Sequence, residues 1–390
     1  PYDLEDDDWT KYMKVNRWTA TLRLVVEDDL GNTAVERKVI YLHQDPDLLP
    51  GFPFRTVASV ESSPVAFDVD GDHRDEVLYI TADGEAFLCD LTADGLVPRA
   101  GWPQKLALQD EADPDHPANH LDQPAWTSGG VSSDAHHSIM GTPAIADLDG
   151  DGVLEIVVAS LNGQVIVWHT DGTVADGWPV MLPMDTIPYT EDDFELDYGS
   201  FAAPVIEDLD GDGQYEIIVA AMDQHLHVYR ADGTIQPGFP VLLQHVNQMG
   251  ESEGQRIITT PAVGDMNGDG QLDIIAGTNE EPGQSTRYSV AYAVHGDGDL
   301  HAGGAVHEGW PIYAQGAFNG ELLPYVGEGA PACPAVADID GDGTLELSFF
   351  SIGDRGYIDS GALGEASIPL DNLTNDFGSG SNSTEEAFSA

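Results

Sequence analysis

Short apolar runs separated by acidic turns set the rhythm of this chain, and one combination of the two recurs five times. Its order is a small residue, proline, an apolar strand, a nine-residue acidic loop and a second apolar strand. The copies are SPVAFDVDGDHRDEVLYI from Ser63, TPAIADLDGDGVLEIVVAS from Thr142, APVIEDLDGDGQYEIIVA from Ala203, TPAVGDMNGDGQLDIIAG from Thr260 and CPAVADIDGDGTLELSFF from Cys333. A second signature, glycine, an aromatic residue and proline, falls at Gly51, Gly101, Gly177, Gly238 and Gly309. Between loop and signature the pattern predicts a second strand, a tight turn and a third strand. Asn162-Gly163 and Asp171-Gly172 are strong hairpin turns of this kind. Each repeat therefore supplies four short antiparallel strands. Four-stranded units in tandem, with first loop aspartates 57 to 79 residues apart, predict an all-β chain built as a β-propeller. A β-solenoid has shorter repeats.

The acidic loop has a chemical logic of its own. Carboxylates or amides at positions 1, 3, 5 and 9, with a backbone carbonyl at position 7, gather hard oxygen donors around a cation of calcium's size. Without a cation, so many carboxylates in one turn repel one another. The predicted ligand sets are Asp68, Asp70, Asp72, Glu76 and the carbonyl of Arg74; Asp147, Asp149, Asp151, Glu155 and the carbonyl of Val153; and Asp208, Asp210, Asp212, Glu216 and the carbonyl of Gln214. The fourth set is Asp265, Asn267, Asp269, Asp273 and the carbonyl of Gln271, and the fifth is Asp338, Asp340, Asp342, Glu346 and the carbonyl of Thr344. That makes up to five calcium ions. His73 replaces a glycine in the first loop and Asn267 an aspartate in the fourth, so these two are the expected weak or empty sites.

Ahead of the repeats, WTATLRLVVEDDLGNTAVERKVIYL, residues 18 to 42, alternates apolar and polar positions on both sides of a DDLGN turn, which predicts a β-hairpin. It resembles the last two strands of a polycystic-kidney-disease-type (PKD) or related immunoglobulin-like domain. The expected organisation is residues 1–45 as the C-terminal part of that β domain, 46–50 as a linker, 51–365 as the propeller and 366–390 as an acidic Ser/Asn-rich tail or the start of a further segment. The chain opens within what reads as a domain already under way, so a piece of a longer secreted protein is expected.

The repeats themselves resemble the FG-GAP or VCBS family, the calcium-binding propeller repeats of integrin α-subunits and of many secreted bacterial proteins. The acidic loops carry the resemblance. The Phe-Gly and Gly-Ala-Pro elements of the integrin form are mostly absent, with Gly329-Ala330-Pro331 the nearest trace, which favours the bacterial branch. The resemblance implies that the loops join the first and second strands of a blade and hold calcium on one face. Five first strands balance five glycine-aromatic-proline strands, so the ring closes with five blades or continues beyond residue 390.

Charge narrows the partners. Lysine and arginine number 14 against 69 acids, a formal charge of −55, which excludes binding to a nucleic-acid backbone or an anionic membrane surface. Five calcium ions would leave about −45, so the acidity also points to a calcium-rich, salty or extracellular setting. Cys89 and Cys333 fit no metal motif and are expected as buried free thiols. No apolar run approaches the roughly 20 residues of a membrane helix.

Long connections from the fourth strand to the next blade, at about residues 106–140, 183–200, 244–258 and 313–330, lie opposite the calcium loops by the family comparison. Long loops on a rigid scaffold are where binding usually resides. The candidate ligand face is His116, His120, Trp126, His136, His137, Tyr189, Phe194, Tyr198, Phe318 and Tyr325. Its histidines, with neighbouring aspartates, have the chemistry of a zinc or nickel site, or of a well-solvated loop. Its aromatic rings suit a sugar or a peptide, or pin their own loops. The repeated aromatics Phe52, Trp102, Trp178, Phe239 and Trp310 instead read as packing between neighbouring blades, because one residue per repeat in one register is what repeated core packing requires. Asn372 and Asn382 fit the N-glycosylation pattern.

No nucleophile elbow, HExxH, P-loop or dinucleotide fingerprint is present. The expectation is a non-enzymatic, calcium-stabilised extracellular module of bacterial origin for recognition of, or adhesion to, protein or glycan. The alternatives are an accessory region of a secreted hydrolase whose catalytic domain lies elsewhere, and a polysaccharide lyase using calcium and loop acids.

Overall fold

The computed structural model describes residues 19–27, 33–41, 58–106 except 94, 138–183, 199–246, 252–278, 288–315, 333–350 except 340 and 342, 356–359 and 368–369, together with positions 49, 51, 52, 54 and 56. The chain divides into two compact units, residues 1–54 with 93–95, and 55–92 with 96–390. The division falls just after the first glycine-aromatic-proline signature.

In the first unit, β1 (Thr19–Glu27) and β2 (Thr33–Tyr41) form an antiparallel hairpin, with register from Thr19 opposite Tyr41 to Glu27 opposite Thr33. This is the hairpin that the alternation predicts.

The second unit is all-β. Its first sheet contains β3 (Val65–Phe67), β4 (Glu76–Ile80), β5 (Glu85–Thr92), β6 (Gly95–Pro98) and β7 (Gln104–Lys105). The second runs β8 (Ala144–Ala146), β9 (Glu155–Ala159), β10 (Gln164–His169) and β11 (Val180–Met181). The third runs β12 (Val205–Glu207), β13 (Glu216–Ala220), β14 (His225–Arg230) and β15 (Val241–Leu242), and a short hairpin follows it, β16 (His245–Val246) with β17 (Ser252–Glu253). The fourth sheet is β18 (Ala262–Gly264), β19 (Asp273–Thr278), β20 (Tyr288–His295) and β21 (Ile312–Gln315). The fifth is β22 (Ala335–Ala337), β23 (Glu346–Phe350), β24 (Gly356–Asp359) and β25 (Ile368–Pro369). Among the described residues the one helical element is a 3-10 turn at Gly298–Leu300. No helix among them is long and apolar enough to cross a membrane.

The central strands are buried on both faces, which is why they read as unbroken apolar runs. In β9 all five residues are buried. Side chains alternate across a strand, so Ile156 and Val158 pack against the first sheet while Val157 and Ala159 pack against the third. Similar layers join the third sheet to the fourth through Ile218, Val228, Ile274 and Tyr292, and the fourth to the fifth through Met266, Ile275 and Leu347. Each fully buried aliphatic side chain contributes roughly 1.5–3 kcal/mol.

The glycine-aromatic-proline turn locks one sheet to the next. Trp102 Nε1 donates to the carbonyl of Thr170 (2.9 Å), and its ring meets Trp168 edge-on at 6.0 Å. Trp178 repeats this one sheet later, donating to Ala231 (2.8 Å) and meeting Tyr229 at 5.9 Å. Gly177 at φ +89° lies so close to the next sheet that a Cβ would sit 2.0 Å from the carbonyl oxygen of Asp232. The peptide bonds before Pro103, Pro179, Pro240 and Pro311 are cis. The cysteines are free, but only Cys89 is buried. Cys333 is exposed, because it precedes β22 where the chain enters the sheet and no apolar layer covers it.

Candidate metal centres

The five acidic loops are closed by one register. The residue just before position 1 pairs with position 9 in every repeat: Phe67 with Glu76, Ala146 with Glu155, Glu207 with Glu216, Gly264 with Asp273 and Ala337 with Glu346. Backbone N–H groups then fix the carboxylates. The position-1 aspartate accepts from the N–H of position 6 each time, from His73 (2.8 Å), Gly152 (2.9 Å), Gly213 (3.0 Å), Gly270 (2.9 Å) and Gly343 (3.0 Å). His73 takes φ +68°, so the first loop keeps its shape despite the lost glycine. The position-9 carboxylate reaches back to the N–H of position 2, at Val69, Leu148, Leu209, Met266 and Ile339 (2.6–3.0 Å). Asp340 and Asp342 lie outside the described residues.

Three of these loops bring together carboxylates that could hold a metal ion: Asp68, Asp70 and Glu76; Asp147, Asp149 and Asp151; and Asp208, Asp210 and Glu216, each with ligand atoms within 4.8 Å of one another. The fit of a cation can be judged in the second loop. Asp147 Oδ1 is buried and has no hydrogen-bond partner among the described residues. A buried carboxylate oxygen without a partner is costly, and a bound cation would remove that cost. In the third loop burial, followed by the charges of Asp210, Asp212 and Asp208, pushes Glu216 up to about 7 although the Leu209 N–H opposes it. Burial likewise raises Glu155, against the pull of the Leu148 N–H and His169.

What faces the carboxylates differs from repeat to repeat. The residue two before the signature glycine closes its turn through its carbonyl: those of Arg99, Ala175, Gln236 and His307 accept from the backbone N–H groups of Trp102, Trp178, Phe239 and Trp310 (3.0–3.2 Å). Its own N–H pairs with the third strand, so its side chain stands beside the acidic loop. In the first repeat the Arg99 guanidinium contacts Asp70 (3.0 Å), Glu76 (3.2 Å) and Asp90 (3.0 Å). It brings a fixed positive charge into the cradle. In the second, Ala175 is too short to enter. A cleft of about 370 Å³ opens there, lined among others by Asp149, Glu155, His169, Gln214 and Asp232. In the third, Gln236 joins Asp210 (3.3 Å) to Arg230 (2.6 Å).

The fourth repeat departs furthest. Asp273 Oδ1 meets His307 Nε2 at 2.7 Å and His295 Nδ1 at 3.5 Å, and His301 stacks on His295 with ring centroids 3.4 Å apart. Burial, then the neighbouring His307 and His301, pushes His295 below the usual imidazole range despite Asp273 and Asp297. Sequence reasoning missed Arg99, Gln236, His295 and His307. The constant spacing of Arg99, Gln236 and His307 from the signature glycine was the available signal. The whole expected ligand face, His116, His120, Trp126, His136, His137, Tyr189, Phe194, Tyr198, Phe318 and Tyr325, lies outside the described residues.

Residues 208–276, from the first aspartate of the third loop into β19, match the family of FG-GAP-like repeats. No curated protein matches the chain. Among solved structures it is similar to the V. cholerae biofilm matrix protein Bap1, with 18% identity and a TM-score of 0.41 over 79% of this chain and 39% of that one. It is also similar to BamB from Moraxella catarrhalis, with 13% identity, a TM-score of 0.40 and coverage of 76% and 62%. The Pseudomonas aeruginosa PilY1 C-terminal domain gives 14% identity, a TM-score of 0.43 and coverage of 77% and 70%. The chain thus spans well under two thirds of Bap1 and somewhat under two thirds of BamB. Likenesses this distant carry no argument about what the chain binds.

Proposed function

We infer that the chain is a calcium-stabilised β-propeller of the FG-GAP/VCBS kind that works outside a bacterial cell as a non-catalytic module, recognising or adhering to protein or glycan. The sheets close into a ring in this reading, and calcium seated in the acidic loops stiffens each blade at its first turn. One observation carries the calcium assignment: the buried, unpartnered Asp147 Oδ1 beside Asp149 and Asp151, all hard oxygen donors with no protein cation among them. Asp147, Asp149 and Asp151, and in the third loop Asp208, Asp210 and Glu216, would hold the ion. The first loop is served by Arg99 instead. The acidity of the chain supports a calcium-rich, extracellular setting and disfavours nucleic acid as a partner.

Isothermal titration of calcium into the chelator-stripped chain tests the metal assignment. At least two equivalents are expected, and Asp147→Ala should remove one; no binding would overturn the reading. For recognition, the calcium-loaded chain is tested for binding to intact bacterial cells, against a variant with the 107–137 connection shortened. Undiminished binding by that variant would count against this connection as the ligand face.

A further inference from the structure

The third strand of the fourth repeat and the connection that follows it bring histidines to a place where the other repeats have none or one. Asp273 is the ninth residue of its loop, and its Oδ2 is used by the Met266 N–H (3.0 Å). Its other oxygen, Oδ1, is left facing two ring nitrogens, His307 Nε2 at 2.7 Å and His295 Nδ1 at 3.5 Å. All three ligand atoms lie within 4.8 Å of one another. The side chains are 2%, 3% and 12% exposed for Asp273, His307 and His295, so the group is largely shielded from water. Each comes from a separate, well-anchored segment: Asp273 begins β19, His295 ends β20, and His307 closes the signature turn by accepting from the Trp310 N–H.

The rings are packed unusually tightly. His295 lies between His301 and His307, with both centroid separations 3.4 Å. A metal ion would replace any proton that these ring nitrogens share with Asp273, because a ligating imidazole nitrogen carries no hydrogen. His301 in turn is tied to Asp297 (3.1 Å), which holds it against the outer face of His295. In the first repeat the position of His307 is taken by Arg99, whose charge satisfies the carboxylates outright. A neutral imidazole brings no charge of its own.

We propose that Asp273, His295 and His307 form a site for one divalent transition metal of zinc's class, built on the ninth residue of the fourth acidic loop. Two imidazole nitrogens and one carboxylate oxygen are the donors such ions prefer, with metal–ligand bonds of about 2.0–2.2 Å and one position left for water. Calcium takes oxygen and gains little from imidazole. Asn267 at position 3 also removes a negative charge from the adjoining oxygen donors. The site therefore selects by donor type, and it does not require that the other loops hold calcium.

The test is cobalt(II) binding to the full chain in millimolar calcium, followed by visible absorption and by equilibrium dialysis. The wild type should bind at least one equivalent with a nitrogen-shifted visible band. His307→Ala and His295→Ala should each bind one equivalent fewer, or bind it at least 100-fold more weakly. Circular dichroism checks the fold of each variant. His307→Gln, which retains a hydrogen-bonding group, serves where alanine unfolds the chain and should lose the same equivalent. Equal binding by wild type and folded His307 variants, or displacement of that equivalent by calcium alone, would overturn the proposal.

Discussion

The first and second repeats share a loop, a register and a turn, yet they solve the same electrostatic problem in opposite ways. Arg99 places a guanidinium against Asp70 and Glu76, whereas Ala175, at the same point of the next repeat, leaves a cleft and a carboxylate oxygen without a partner. A covalently attached cation is always present and cannot be removed. A cradle of carboxylates alone depends on what the medium supplies. The difference teaches that an acidic loop is not by itself a metal site. What faces it across the sheet decides.

The largest effect expected from this contrast is that of chelation. Each site at 100-fold excess of calcium over its Kd stabilises by about 2.7 kcal/mol, so stripping the second and third loops should lower the melting temperature by roughly 10 °C. Thermal unfolding with calcium and with chelator measures this, and no shift would remove the distinction between filled and arginine-served loops. Next comes Asp147→Ala, expected to cost about 3 kcal/mol in calcium and one bound equivalent by calorimetry. Asp68→Ala, its counterpart in the first loop, should leave the calcium stoichiometry unchanged.

Arg99→Ala should cost about 2 kcal/mol in denaturant unfolding without calcium, because it leaves Glu76 buried without its countercharge. Calcium should restore that loss and add one equivalent. The reciprocal change, Ala175→Arg, should remove one equivalent while altering metal-free stability by about 1 kcal/mol. The smallest effect belongs to Gln236→Ala, which breaks the link from Asp210 to Arg230 at a cost of about 0.5–1 kcal/mol, read from the shift of the urea midpoint. An equal loss for Arg99→Ala and Gln236→Ala would show that charge at this position is unimportant.

Much of the framework was legible because it repeats. The hairpin at residues 19–41 followed from period-2 alternation, and the four-stranded sheets from apolar runs punctuated by Asn-Gly and Asp-Gly turns. The repeated Trp102 and Trp178 were readable as junctions between neighbours, and their indoles do cross to the next sheet. Compartment of the thiols was less legible: Cys333 sits in an apolar-looking run but is exposed at the mouth of its strand. Doubt about the first loop rested on His73, which turns out to adopt the required left-handed conformation. The residue that alters that loop is Arg99, remote in sequence from the acids it meets.

The chain's own sequence therefore determined which residues form strands, where the acids cluster and how often the unit recurs, since each is a matter of local pattern and spacing. Only the tertiary structure decided what each cluster looks at. The antiparallel register that closes the loop also carries the third strand and the signature turn alongside it, so a guanidinium, a methyl group, an amide or an imidazole arrives from 20 to 34 residues beyond the ninth loop residue. That meeting is set by sheet geometry, and with it the choice between an internal cation and an open cradle.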